Sequence, residues 1–208
     1  YFLIIEEISK IFPNAKFIFL FRNPLSQLAS KLVTHKGRFK TLYSASVDIL
    51  SGPNLLETGY EMLKNKSIKI TYSELINDSE GVINKLNNYL GVQIDKSIIS
   101  NLSTVQLKGS MGDTEIMSNV SDKVSNNSLS KWKDAFNTPI RRLVAIKYLN
   151  AINENYFVFS GVSRIEIINE LKTIKTKNTH ILRDVFDLIY CYINLRFKTN
   201  IIFSSKNK

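Results

Sequence analysis

The stretch from Phe12 to Leu32, F-P-N-A-K-F-I-F-L-F-R-N-P-L-S-Q-L-A-S-K-L, constrains the fold of this chain more than any other. Phe17 to Phe21 is a continuous apolar run, with Pro13-Asn14 before it and Arg22-Asn23-Pro24 after it. A short apolar run between breakers reads as a strand buried on both faces rather than as a helix. Asn23 is a good helix N-cap, and Pro24 suits the first helical position, where its missing N–H would have no partner anyway. Leu25, Leu28, Ala29 and Leu32 then fall on one helical face, and Ser26 and Ser30 share the face left free. The prediction is strand, tight turn, helix, with Arg22 at the strand's carboxyl end. In open α/β sheets ligands bind at that edge, and helix N-termini there attract phosphates. Arg22 would place a planar five-donor fork at the mouth of such a site. The plainer alternative pairs Arg22 with a carboxylate and leaves the serines as surface residues.

The rest of the chain supplies fewer landmarks. Tyr1 to Phe12 reads as the tail of an amphipathic helix, and residues 34–40, T-H-K-G-R-F-K, as a mobile basic loop with His35 on the surface. Leu42 to Leu63 reads as a helix broken near Ser51-Gly52-Pro53-Asn54. Ser67 to Thr71 alternates like a strand that closes at Tyr72. Asp78 or Ser79 caps the next helix, whose core face is Val82, Ile83, Leu86, Tyr89 and Leu90 and whose stop is Gly91. Residues 96–130 are polar and read as a long loop. Pro139 to Ala151 is expected to be helical with Leu143, Ile146, Tyr148 and Leu149 inward. Two more helices follow Ser163, the second with an apolar face including Ile181, Leu182, Val185, Phe186 and Ile189. Docking of that face on the core or on a partner chain is the first expectation. A membrane-surface helix is the weaker one, because Asp184 and Asp187 interrupt its basic face. The fold class is thus α/β: a partial parallel sheet flanked by helices over residues 1–162, with a helical carboxyl-terminal extension over residues 163–208.

Charge and composition narrow the partners. Net charge is 28 − 18 = +10, which favours nucleotides, polyanions or an anionic surface without choosing among them. The single cysteine, Cys191, allows no internal disulfide. His35 and His180 stand far apart, no metal-ligand spacing occurs, and no metal is expected. No apolar run approaches the length of a membrane span and no signal peptide is visible, so a cytoplasmic location is expected. The chain opens on Tyr1 inside a helical pattern, so it is expected to be part of a longer protein.

F-P-N-A-K-F-I-F-L-F-R-N-P-L-S-Q-L-A-S resembles the second cofactor-binding segment of sulfotransferases that use 3′-phosphoadenosine-5′-phosphosulfate (PAPS). That family shows an F-P-x-A-K apolar strand, then R-[ND]-P, then a Ser eight residues after the Arg. The resemblance implies that Arg22 and Ser30 bind the cofactor's 3′-phosphate. Ile70 to Val92, I-T-Y-S-E-L-I-N-D-S-E-G-V-I-N-K-L-N-N-Y-L-G-V, is similar to the family's strand ending in Y-E-[DE]-L and its following helix, which implies that Tyr72 contacts the adenine ring. An aromatic face suits a purine. A third landmark, the basic loop before a helix, matches only in part at Lys131-Trp132-Lys133. The family's Arg-Lys-Gly positions read Ser125-Asn126-Asn127 here, with Lys123 or Ser128 as weak substitutes, and Trp132 is expected in the core.

The resemblance implies that the parallel sheet is a partial one of the P-loop-NTPase kind, and that the whole protein is a sulfotransferase moving a sulfuryl group from PAPS to a hydroxyl or amine acceptor, with carbohydrate as the first expectation. The family's phosphosulfate-binding loop and catalytic base precede this segment and have no counterpart in the sequence, so no catalytic residue is assigned and the piece alone is expected to be inactive. Two other readings stay open: a non-catalytic basic module that holds nucleic acid or another polyanion, and a nucleotide kinase-like relative. No specific nucleic-acid target and no oligomeric state is indicated.

Overall fold

The computed structural model describes residues 2–34, 36–95, 97, 127–177 and 179–197. The apolar run forms strand β1 (Phe17–Phe21), preceded by helix α1 (Ile5–Ile11) and followed by α2 (Pro24–Thr34). A short α3 (Thr41–Ser44) and a π-helical stretch, Val47–Ser51, lead into α4 (Gly52–Met62). Pro53 lies in the first turn of α4, where a residue without an N–H costs least. Strand β2 (Ser67–Thr71) is followed by α5 (Tyr72–Asn77) and α6 (Ser79–Leu90). The carboxyl-terminal half comprises α7 (Asn127–Ser130), α8 (Trp132–Ala135), α9 (Pro139–Ala151), α10 (Glu154–Ser160), α11 (Arg164–Thr173) and α12 (Ile181–Phe197).

The fold is α/β, mostly helical, with a small parallel sheet: among the described residues it has two strands, β1 beside β2, in register from Phe17↔Ser67 to Phe21↔Thr71. Phe19 and Phe21 are buried on one face of β1, and both make edge contacts with Tyr60 of α4. Phe21 also meets Tyr156 and Phe159 of α10. The other face differs from the expectation of a doubly buried strand, since Ile18 and Leu20 are each 47% exposed. On that side α6 is tied to β2: the Tyr89 hydroxyl donates to the Lys66 carbonyl and Lys85 Nζ to the Lys69 carbonyl. Asp78 caps α6 through the Gly81 N–H, and Gly91 ends it at φ 75°, a left-handed conformation that glycine adopts without strain. β2 ends at Thr71, and Tyr72, expected to close the strand, is instead the first residue of α5.

One apolar cluster joins the sheet, α2 and the later helices, including Phe21, Leu28, Phe39, Trp132, Leu149 and Leu171. Trp132 is in the core, as expected. Leu143, expected inward, is 62% exposed, and Arg141 takes the inward position on α9 instead. Asn127 to Ser130, expected as loop, is helical. His35, the polar stretch 98–126 with its Lys123, Ser125 and Asn126, and the tail from residue 198 lie outside the described residues.

The largest departure is α12. Its buried residues are Asp184, Asp187, Cys191 and Asn194, while Leu182, Phe186, Ile189 and Tyr192 face outward. Arg141 explains the inversion: its Nε and Nη2 donate to the two Asp184 carboxylate oxygens at 2.7 and 2.9 Å, and Nη2 also donates to the Gly37 carbonyl at 2.7 Å. Arg38 grips Asp187 in the same two-pronged way, with Nε to Oδ2 at 2.8 Å and Nη2 to Oδ1 at 2.6 Å. Planar forks on carboxylates are strong, orientation-specific contacts. The Cys191 thiol donates to the Phe39 carbonyl at 3.1 Å, and burial pushes its pKa up to about 11, so it stays a protonated donor. The basic segment around Arg38, expected as a mobile loop, is thus built onto α12.

The Asp187 carboxylate makes the fold acid-sensitive. Burial alone would raise the Asp187 pKa, but Arg38 and the Phe39 and Lys40 N–H groups hold it below its ordinary value. A depressed carboxylate pKa gives stability that is present above the unfolded value, about 4, and lost as pH falls through the lower folded value. Thermal melts of the natural chain should therefore fall progressively below about pH 4. Asp187→Asn should melt lower at neutral pH and show a flatter acid limb.

Candidate functional site

Arg22 and Tyr72 are the residues that immediately follow the last paired positions of two parallel strands, Phe21 and Thr71. Neighbouring strand ends bring them together at the carboxyl edge of the sheet. The Arg22 guanidinium carbon stands 4.0 Å from the centroid of the Tyr72 ring, over its face. A cation at that distance over an aromatic ring is worth about 0.5–2 kcal/mol, depending on how far it is desolvated. Arg22 is half-buried, and its Nε is buried without a hydrogen-bond partner. An unmet buried N–H costs energy until an acceptor reaches it, and an anion with several oxygens is the acceptor that suits a guanidinium fork.

The backbone on both sides is fixed by local contacts. Asn23 Oδ1 accepts from the Leu25 N–H at 2.9 Å, and the Asn23 carbonyl accepts from the Ser26 and Gln27 N–H groups. Pro24 has no N–H. The first turn of α2 therefore has few donors left for a phosphate, and anion binding there falls to Arg22 rather than to the helix end. Tyr156, fully buried, donates its hydroxyl to the Arg22 carbonyl at 2.8 Å and receives the Gln27 side-chain amide at 3.3 Å. Burial pushes the Tyr156 pKa up to about 12, so it remains a donor at neutral pH. Tyr156 pins the turn from 134 residues away. A buried tyrosine signals in sequence that some partner exists. Which partner it is depends on the fold.

Thr71 and Glu74 hold Tyr72. The Thr71 hydroxyl accepts from the Glu74 N–H at 3.1 Å, and the Glu74 carboxylate accepts from the Thr71 N–H at 2.7 Å. This reciprocal capping box satisfies two orphan N–H groups and sets the angle at which Tyr72 leaves the strand. Burial would raise the Glu74 carboxyl, but the Thr71 N–H and hydroxyl, with Lys85 and Lys69, hold it below the ordinary value.

Ser30 is half-buried on α2, six residues beyond Pro24, and its carbonyl accepts from the Thr34 hydroxyl. Ser26, expected beside it on the free face, is buried. The sheet edge thus joins Arg22 to Tyr72, and Ser30 lies on the helix that directly follows Arg22. Among the described residues no group of His, Cys, Asp and Glu side chains could hold a metal ion.

Comparison with known proteins adds one finding. Residues 1–96 match the sulfotransferase family. The matched span runs from α1 to just past α6 and includes Arg22, Ser30 and Tyr72. The sulfotransferase resemblance read from the two motifs is therefore shown over this span, and the family's general chemistry is sulfuryl transfer. No curated protein and no solved structure gives a significant match. No helix among the described residues is long and apolar enough to cross a membrane.

Proposed function

We propose that this chain is part of a PAPS-dependent sulfotransferase with a P-loop-like fold, and that the Arg22–Tyr72 edge is its nucleotide end. In this reading Arg22 and Ser30 hold the 3′-phosphate, and Tyr72 contacts the adenine. The observation that supports it is the Arg22 guanidinium stacked on Tyr72 with its Nε buried and unpartnered, inside the span that matches the family. The residues fit the group chemically. A 3′-phosphate supplies the acceptor that the Arg22 Nε lacks, and the aromatic ring of Tyr72 beside it suits a purine. The α2 dipole adds a favourable field for the anion even though its first N–H groups are engaged.

PAPS supplies the sulfuryl group. What these residues do is orient the nucleotide, which fixes the direction from which an acceptor must approach. The acceptor is a hydroxyl or amine, and carbohydrate is the class proposed first. This reading predicts that the chain binds adenosine 3′,5′-bisphosphate at least about tenfold more tightly than adenosine 5′-monophosphate, the increment expected of a charge-assisted contact. Calorimetric titration with both nucleotides measures this. Equal affinities would remove the 3′-phosphate role. Equal affinities combined with nucleic-acid binding that weakens steeply with salt would favour a basic polyanion-binding module instead.

A further inference from the structure

An ordinary surface helix buries its apolar stripe and turns its charges to water. α12 does the reverse. Asp184 and Asp187 are withdrawn into pairs with Arg141 and Arg38. Outward stand Leu182 (76% exposed), Phe186 (70%), Tyr192 (65%) and Phe197 (66%), with Ile189 and Ile193 between them. Arg196 is the charged residue among the exposed positions of this helix, and no carboxylate joins it there. The approach to α12 is basic as well, since Lys172, Lys175 and Lys177 are all exposed.

We propose that the outward face of α12 is a docking surface for an anionic lipid bilayer, lying in the plane of the membrane. The two aspartates that would repel anionic headgroups are buried and paired. What remains outward is an apolar row with aromatic side chains at both its middle and its end, with Arg196 among them and exposed lysines in the stretch that leads into the helix. Such a row can enter the headgroup–acyl boundary while these cations are drawn to lipid phosphates. Charge favours a bilayer over a second copy as the occupant: the chain carries net charge +10, which an anionic bilayer complements and a like-charged copy does not. The helix has 17 residues and lies on the body of the protein through its polar side, so it rests on the bilayer rather than spanning it.

Flotation of the full chain with vesicles tests this. Vesicles of phosphatidylserine mixed with phosphatidylcholine should retain the protein, phosphatidylcholine alone should retain it weakly, and raised salt should release it. The F186S/I189S variant changes only exposed side chains, so it should melt like the natural protein while its partitioning falls on the order of tenfold or more. Absence of binding to the mixed vesicles would overturn the proposal, as would equal binding by the variant. Sedimentation of the lipid-free protein as a dimer that F186S/I189S converts to monomer would overturn it too, by making this face a contact between copies.

Discussion

Replacing Asp184 by Ala is expected to destabilise the fold by about 3–5 kcal/mol, because it leaves the Arg141 guanidinium buried without its counter-charge. Asp184 is fully buried, and Arg141 is 8% exposed. Arg141 also donates to the Gly37 and Ala135 carbonyls, and these neutral acceptors cannot balance a full positive charge at low dielectric. The loss should lower the melting temperature on the order of 10 °C for a domain of this size. The neighbouring pair is a built-in control. Arg38 is 39% exposed, so Asp187→Ala leaves a cation that water can reach, and its cost should be clearly smaller. The double variant Arg141→Met with Asp184→Leu should recover much of the loss, since replacing both partners of a buried pair by apolar groups is often neutral. Urea denaturation of the single and double variants measures each term. A single variant as stable as the natural chain would mean that the pair does not hold α12.

Replacing Arg22 by Ala is expected to abolish the preference for adenosine 3′,5′-bisphosphate over adenosine 5′-monophosphate, weakening the former about ten- to a hundredfold and the latter little. Hydrogen bonds to charged groups contribute about 1.5–3 kcal/mol, which sets that range. Arg22→Lys should retain only part of the preference. Lysine keeps the charge but loses the planar fork and the flat face that rests on Tyr72. Equal loss of both nucleotides in Arg22→Ala would place the residue against the base or the ribose rather than the 3′-phosphate.

Local chemistry explains what was legible in the sequence. The strand-turn-helix unit around Arg22, the Asn23 and Asp78 caps and the Gly91 stop depend on residues a few positions apart, and all formed where the sequence placed them. The meeting of Arg22 with Tyr72 was legible only as two motifs in the right order; the parallel register supplied their contact. The expectation that α12 docks its apolar face on the core failed because periodicity gives the stripes of a helix but not which stripe finds partners within the chain. The arginines that turn its polar side inward come from 43 and 149 residues away. Two bidentate ion pairs outweighed the burial of an apolar row, and no pattern local to α12 could announce them. The exposed face of β1 has the same origin: F-I-F-L-F does not encode how many layers cover it. Tyr156 escaped notice because its partner is a main-chain carbonyl, to which any residue type can contribute.

A crystal structure of the chain with adenosine 3′,5′-bisphosphate tests the central claim most directly. The account predicts 3′-phosphate oxygens within about 3 Å of the Arg22 guanidinium, with Nε now satisfied, and the adenine against Tyr72. A nucleotide bound elsewhere, with Arg22 still unpartnered over Tyr72, would contradict it.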